Sequence, residues 1–315
     1  MGLLDQGKAI IRVAPNELQP KSLNPNVPYG PQETAADVIA CAHAGATIAH
    51  VHSRHDDGRQ AFDDDSAGAG IYRRILELVA RESDILVEPT NCRRGEDPTT
   101  SADVPHLWAL VDQPPPGARL EIVNIDGFRL GSAAWDQATG TLYSLRKHYE
   151  GRSTQPYPGP AVVQEALRRG LIPFFGLFDL KDTRMLAAMA HQGVVSQPVL
   201  VQINFFCDQV TGATPSIEAL DAILHEWRQF EIDAELCLFV RMAPDLDFYE
   251  RLLNAALERG VHPRVGLGDN PHLFSTNVAM VEHAADLAGG HGFTLATPAD
   301  LRRRVGLAIP AETAS

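Results

Sequence analysis

Ile48-Ala49-His50-Val51-His52-Ser53-Arg54 is an apolar run that ends in two histidines one residue apart. Successive side chains of a β-strand point to opposite faces, so His50 and His52 share one face. Their imidazoles then lie side by side at the end of the strand, spaced to hold one metal ion between them. An apolar strand gains nothing from two adjacent imidazoles. Taken alone, such a pair is more often packed or surface histidines than a metal site; its place where a parallel strand would end raises the case for a metal.

Outward from this strand the chain repeats one pattern: a short apolar run, a turn, then helical periodicity. That alternation is the mark of a parallel sheet. Candidate strands are Ala9–Ala14, Ala46–His52, Ile85–Thr90, Leu120–Asn124, Pro173–Asp179, Val199–Asn204, Ala234–Val240 and Arg264–Leu267. Between them lie candidate helices at Ala35–Ala44, Ala67–Arg81, Pro105–Val111, Val162–Arg169, Thr183–Gln192, Ile217–Phe230, Leu246–Arg259 and Val278–Ala288. Ser216 and Asp182 serve as N-terminal caps in this reading, and Gly45, Gly170, Gly193, Gly260 and Gly289 close helices. Eight strand–helix pairs predict an α/β fold, a (β/α)8 TIM barrel in one domain over 1–315. No glycine-rich fingerprint follows the first strand, which disfavours an open doubly wound sheet. The Gly-, Ser-, Tyr- and Pro-rich stretch at 125–160 reads as an excursion from the fourth strand–helix loop, a lid or a subunit contact.

With 315 residues, 44% hydrophobic and 21% charged, the chain can bury a sizeable core. A formal net charge of −13 argues against nucleic acid or an anionic membrane as partner. An anionic substrate must therefore be met by a local basic site working against the global field. Cys41, Cys92, Cys207 and Cys237 are widely spread, which reads as reduced and cytoplasmic. No run reaches about 18 apolar residues, so neither a signal peptide nor a membrane span is expected.

In a barrel the chemistry collects where strands end. The strand ends here carry Asn16 and Glu17, then His50 and His52, then Glu88 and Thr90, then Asn124, Asp179, and Gln202 with Asn204. The last strand runs into Arg264-Val265-Gly266-Leu267-Gly268-Asp269-Asn270. An aspartate in such a bend can act as a general base, and a nearby arginine can hold it ionised. Each residue also has a plain reading: Asp269 and Asn270 as caps of the next helix, Asn124 and Gln202 as hydrogen-bonding rim residues, Arg54 as a solvated charge. Convergence on one rim favours function.

The segments Asn24-Pro25-Asn26-Val27-Pro28, His50-Val51-His52-Ser53-Arg54, Arg264-Val265-Gly266-Leu267-Gly268-Asp269-Asn270 and Leu295-Ala296-Thr297-Pro298 together resemble the β-keto acid cleavage enzymes. The resemblance spans Val13 to Leu301 and implies a (β/α)8 barrel. It implies an enzyme that condenses a β-keto acid with acetyl-CoA to give acetoacetate and a new CoA ester. It also implies a divalent metal, zinc, on His50 and His52, with Asp269 as general base and Arg264 orienting it. Glu17, Glu88, Thr90, Asn124 and Asp179 are expected to bind substrate, and a homo-oligomer, a tetramer, is implied. Where the family writes GLEDN this chain has Gly268, so the metal-binding glutamate is missing; Pro89-Thr90 replaces the usual Ser-Thr. The third ligand is then Glu17, Glu88 or Asp179, or water and substrate oxygens, or else the metal is lost; the retained histidines favour a metal. Two other functions stay open at this point: a CoA-independent metal-dependent aldolase or lyase, and a non-catalytic barrel that binds a small acid.

Overall fold

The computed structural model describes residues 1–92, 104–136, 138–139, 141–144, 156–157 and 159–309. Eight parallel strands form its centre: β1 (Arg12–Val13), β2 (Ile48–Val51), β3 (Leu86–Pro89), β4 (Ile122–Asp126), β5 (Ile172–Leu177), β6 (Val199–Phe206), β7 (Ala234–Arg241) and β8 (His262–Val265). They are hydrogen-bonded in the order β3-β2-β1-β8-β7-β6-β5-β4, and β3 packs beside β4, so the ring is nearly closed. Eight helices follow the strands: α1 (Gly30–His43), α2 (Asp65–Val79), α3 (Pro105–Asp112), α4 (Ala161–Arg168), α5 (Leu180–His191), α6 (Ile217–Arg228), α7 (Leu246–Glu258) and α8 (Asn277–Gly290). The expected (β/α)8 architecture is present.

Strand alternation sorts the side chains into two apolar populations. Val13, Ala49, Val51, Val87, Ile203 and Val240 face outward into one large core shared with the helices. Ile10, Ile48, Leu86, Ile122, Phe174 and Leu200 face the barrel axis in a separate inner cluster near the strands' N-terminal ends. Further along six of the eight strands the inward positions turn polar: Arg12, His50, Glu88, Asn124, Gln202 and Arg264. The upper half of the barrel is therefore a buried polar chamber, which packing alone would not select.

The barrel floor is sealed by the N-terminal segment and by a ninth helix, α9 (Pro298–Val305). Lys8–Ala9 pairs in parallel with Thr294–Leu295, and Leu3, Ala296 and Leu301 join the inner cluster. His262 sits in this floor, accepting from the Ile10 amide at 2.9 Å and meeting the Glu235 carboxylate at 2.8 Å. The fourth-loop excursion contains an antiparallel hairpin, Ala133–Asp136 with Thr141–Ser144; residues 145–155 of it lie outside the described residues.

Several boundaries differ from expectation for local reasons. Helix α1 starts at Gly30 rather than Ala35, because Pro31 pre-sets the first turn. Helix α5 is capped by Asp179, whose carboxylate accepts from the Asp182 amide at 2.9 Å. Asp182, expected to be the cap, lies inside the first turn. Gly289 lies within α8, which runs on to Gly290.

Asp37 on α1 ties the helical layer to the rim. It accepts from Asn277 Nδ2 at 2.7 Å, while Asn277 Oδ1 accepts from the Leu267 amide at 2.7 Å. Burial raises the Asp37 carboxyl to about 7, against the opposing pull of the Asn277 bond. A carboxyl raised on folding favours the folded state while protonated, and that contribution is lost as pH climbs through the folded value. Thermal stability should therefore fall between about pH 4 and pH 7 from this group. Melting curves of Asp37→Asn should show that part of the decline removed; an unchanged pH profile would refute the assignment.

Candidate metal centre and active site

The loop leaving β1 is locked to the end of β2. Asn16 Oδ1 accepts from the His52 amide at 2.9 Å, and its Nδ2 donates to the His52 carbonyl at 3.1 Å. Arg54, far from being a solvated charge, is buried. It donates from Nη1 to the carbonyls of Asn16 (2.9 Å) and Gln19 (2.5 Å), and from Nε and Nη2 to Gly58 (2.9 and 2.7 Å). Its guanidinium also lies over the Tyr29 ring at 4.1 Å. Gln60 donates to the Glu17 carbonyl at 2.6 Å. Glu17 is a loop residue with the backbone restraint of a strand.

That restraint brings the Glu17 carboxylate to both histidines. His50 Nε2 is 3.4 Å from Glu17 Oε1, and His52 Nε2 is 3.6 Å from Oε2. The two rings face the same carboxylate, with centroids 5.4 Å apart, edge to face. Among the described residues, Glu17, His50 and His52 form a group whose candidate ligand atoms all lie within 4.8 Å of one another. Separations of 3.4 and 3.6 Å are long for hydrogen bonds but suit ligands with bonds of about 2 Å around one tetrahedral ion. Burial lowers both imidazoles, His52 to about 4, so their nitrogen lone pairs are free at neutral pH. Burial alone would raise Glu17, but Arg264 and the histidines hold it well below the usual carboxylate range. The Nδ1 atoms of both histidines are buried without hydrogen-bond partners. Two neutral imidazoles and a charged carboxylate are a donor set that fits a divalent transition metal.

Arg264 is the hub of the rim. Its Nε and Nη2 make a forked pair with Asp269 at 2.9 and 2.8 Å, Nη1 donates to Gln202 at 2.8 Å, and Nη2 also reaches Glu17. The guanidinium lies 4.1 Å from the Phe239 ring centre. Burial works against its charge, but Asp269 and Glu17 outweigh that and raise its pKa. Asp269 itself is pushed up to about 6 by burial, against the pull of Arg264. Neither Asp269 nor Asn270 caps a helix. Asn270 instead staples β7 to β8, accepting from the Ala243 amide at 2.8 Å and donating to the Val240 carbonyl at 2.7 Å. Helix α8 begins later, capped by Thr276.

The departure at Gly268 has a steric explanation. A Cβ built there would lie 2.6 Å from the Ala14 carbonyl oxygen and 2.8 and 2.9 Å from Glu17 Cγ and Cβ. The Gly268 amide donates to the same Ala14 oxygen at 2.9 Å, extending the contact between β1 and β8. The room a side chain at 268 would need is taken by Glu17.

Not every expected residue joins this group. Glu88 spends both oxygens on Arg12, at 2.8 and 2.7 Å, below the histidines, with Asn124 beside it. Asp179 is a helix cap. Thr90 is buried at the end of β3, its hydroxyl accepting from the Cys92 amide at 3.3 Å. Arg12, lying over Phe174 at 4.3 Å, is a charge-balancing partner that the strand list passed over. Its signal was legible: one arginine inside Ile10-Ile11-Arg12-Val13-Ala14.

A profile of the beta-keto acid cleavage enzyme family matches residues 8–307. The 3-keto-5-aminohexanoate cleavage enzyme of Fusobacterium nucleatum subsp. nucleatum is 32% identical over 293 residues, covering 91% of this chain and 93% of that protein. The 3-oxoadipate:acetyl-CoA acetyltransferase of Cupriavidus necator is 26% identical over 318 residues, covering 95% and 94%. Among solved structures, the binary complex of ObcA with oxaloacetate superposes with a TM-score of 0.61 at 16% identity, over 90% of this chain and 68% of that one, a likeness of fold.

Gly268→Ala should destabilise the protein by about 1–3 kcal/mol in chemical denaturation, because the new methyl meets a backbone oxygen that cannot move aside. Gly70→Ala, with nothing within 4 Å of the added carbon in α2, is the control and should be neutral or stabilising. Equal effects of the two substitutions would sink the packing explanation.

Proposed function

This chain belongs to the β-keto acid cleavage enzyme family, and on that premise we propose how its rim residues carry the reaction and which ion they hold. It is an acetyl-CoA-dependent transferase that cleaves a β-keto acid, releasing acetoacetate and forming a new acyl-CoA ester. His50, His52 and Glu17 hold the divalent cation, zinc, with Glu17 serving in place of a carboxylate at position 268. The chemistry such an ion supplies is Lewis-acid polarisation of the substrate's keto oxygen.

Asp269 is the general base. With its pKa raised to about 6, it is ionised near neutral pH yet basic enough to take a proton from the carbon between the two carbonyls. The Arg264 fork fixes the direction of that carboxylate, and the Asn270 staple fixes the turn that carries it. The carbanion attacks the thioester carbonyl of acetyl-CoA, forming a carbon–carbon bond and expelling CoA thiolate. The thiolate then attacks the original keto carbon. The bond between that carbon and its neighbour breaks, acyl-CoA forms, and the carbanion of acetoacetate leaves and regains the proton held by Asp269.

The observation that carries this reading is one rim with two divided roles: three donors facing one point, and beside them a carboxyl whose direction Arg264 fixes through both oxygens and whose pKa is nonetheless raised to about 6. Asp269→Asn should keep full metal content by elemental analysis while kcat falls on the order of 10²–10⁴-fold. His50→Ala/His52→Ala should lose the metal altogether. Zinc found at one equivalent in wild type and absent in the double variant supports the ligand set. Undiminished turnover by Asp269→Asn would overturn the base assignment.

A further inference from the structure

Arg241, the last residue of β7, is a half-buried guanidinium that the rim does not use. Residues alternate along β7, and Cys237 belongs to the inner cluster while Phe239 lies under Arg264, so Arg241 faces the axis at the mouth. Its Nε is buried without a hydrogen-bond partner. Among the described residues its ion-pair partner is Asp208, with Oδ2 3.5 Å from Nη2, and its guanidinium carbon lies 6.0 Å from the Phe206 ring centre. The arginine side chain is only 15% exposed, and Asp208 is 32% exposed.

The other inward arginines are already neutralised. Arg12 is matched by Glu88, and Arg264 by Asp269 together with Glu17. An anion entering this chamber meets carboxylates at the reaction centre and, at the mouth, Arg241, whose one ion pair is long and made to a part-exposed aspartate while its Nε has no hydrogen-bond partner. Between the two lies an aromatic wall: Phe239 against Arg264, and Phe206 edge-on to Phe239 at 5.3 Å. Such a wall accommodates methylene groups, and a guanidinium at its far end suits a carboxylate.

We propose that Arg241 binds the carboxylate at the distal end of the acyl substrate, so that this enzyme selects β-keto diacids over β-keto monoacids. The inference rests on the reaction assigned above. A chain long enough to span Phe239 and Phe206 places its terminal carboxylate on Arg241, releasing Asp208 to solvent. With its side chain only 15% exposed, Arg241 is covered enough to favour a small carboxylate over a bulky CoA phosphate, the other anion that reaches this site.

The test compares 3-oxoadipate with 3-oxohexanoate, acids of equal length, in the acetyl-CoA-dependent assay. Wild type should favour the diacid. Arg241→Gln should lower kcat/KM for the diacid on the order of 30-fold, the loss of a charge-assisted pair, with little change for the monoacid or in KM for acetyl-CoA. Arg241→Lys should recover part of the loss. A wild-type preference for the monoacid, an equal effect on both acids, or a rise confined to KM for acetyl-CoA would each overturn the proposal, and the first needs no variant to fold. Calorimetric binding of adipate against hexanoate reads the same site without turnover. If no β-keto acid is cleaved, the assigned reaction fails; if adipate binds no better than hexanoate, the Arg241 assignment fails.

Discussion

Arg264 is shared between two carboxylates inside a barrel that excludes water, and the rest of the rim depends on that sharing. A guanidinium buried to this degree carries a desolvation cost that only well-aligned partners offset. Asp269 supplies a forked pair, Gln202 a third bond and Glu17 a fourth. Removing either carboxylate leaves positive charge less well matched in a low-dielectric chamber, and removing Gln202 leaves a buried donor unpaired. Arg12 and Glu88 form a further ion pair one strand away, so two buried guanidiniums face three carboxylates and the chamber can stay polar without unfolding the barrel.

The same arginine drives its two carboxylates in opposite directions. Glu17 has Arg264 and both histidines near it and is held firmly ionised. Asp269 lies deeper, has Arg264 and, more weakly, Arg12 to oppose its burial, and feels the negative charge of Glu17, so its pKa rises to about 6. Two carboxyls pushed apart by their surroundings mark divided labour: one fixed in charge, one able to exchange a proton near neutral pH. Because the two groups interact, they titrate as a pair, and a cation held at Glu17 would bear directly on Asp269.

Much of this was legible because a parallel barrel writes itself in short apolar runs with chemistry at their ends. The alternation of His50 and His52 within Ile48–His52 gave both the strand and the shared face. The pairing of Arg264 with Asp269 followed from a glycine bend. Less legible were contacts made by the backbone of loops. Nothing in the residue types announces that Asn16 would grip both polar groups of His52, or that Arg54 would collect carbonyls from the β1 exit. Asp179 and Asp182 are both plausible helix caps, three residues apart, and only the first-turn geometry separates them. Helix α9 did carry a signal, since Thr297 and Asp300 form a reciprocal cap, but its short length hid it among tail residues.

The position of the third donor shows how ring closure widens the choices open to a barrel. Strands first and last in sequence are neighbours in space, with Arg12 beside Arg264 and Val13 beside Val265. A carboxylate can therefore reach the same point from the end of β8 or from the exit of β1, but not from both, because the two routes compete for one volume around the Ala14 carbonyl. Supplying the group from β1 moves it onto a loop, which costs rigidity unless the loop is tied down. Asn16, Arg54 and Gln60 tie it down through four separate backbone carbonyls and one amide. Glycine at 268 and the clamp on residue 17 are thus two halves of one arrangement, and neither makes physical sense without the other.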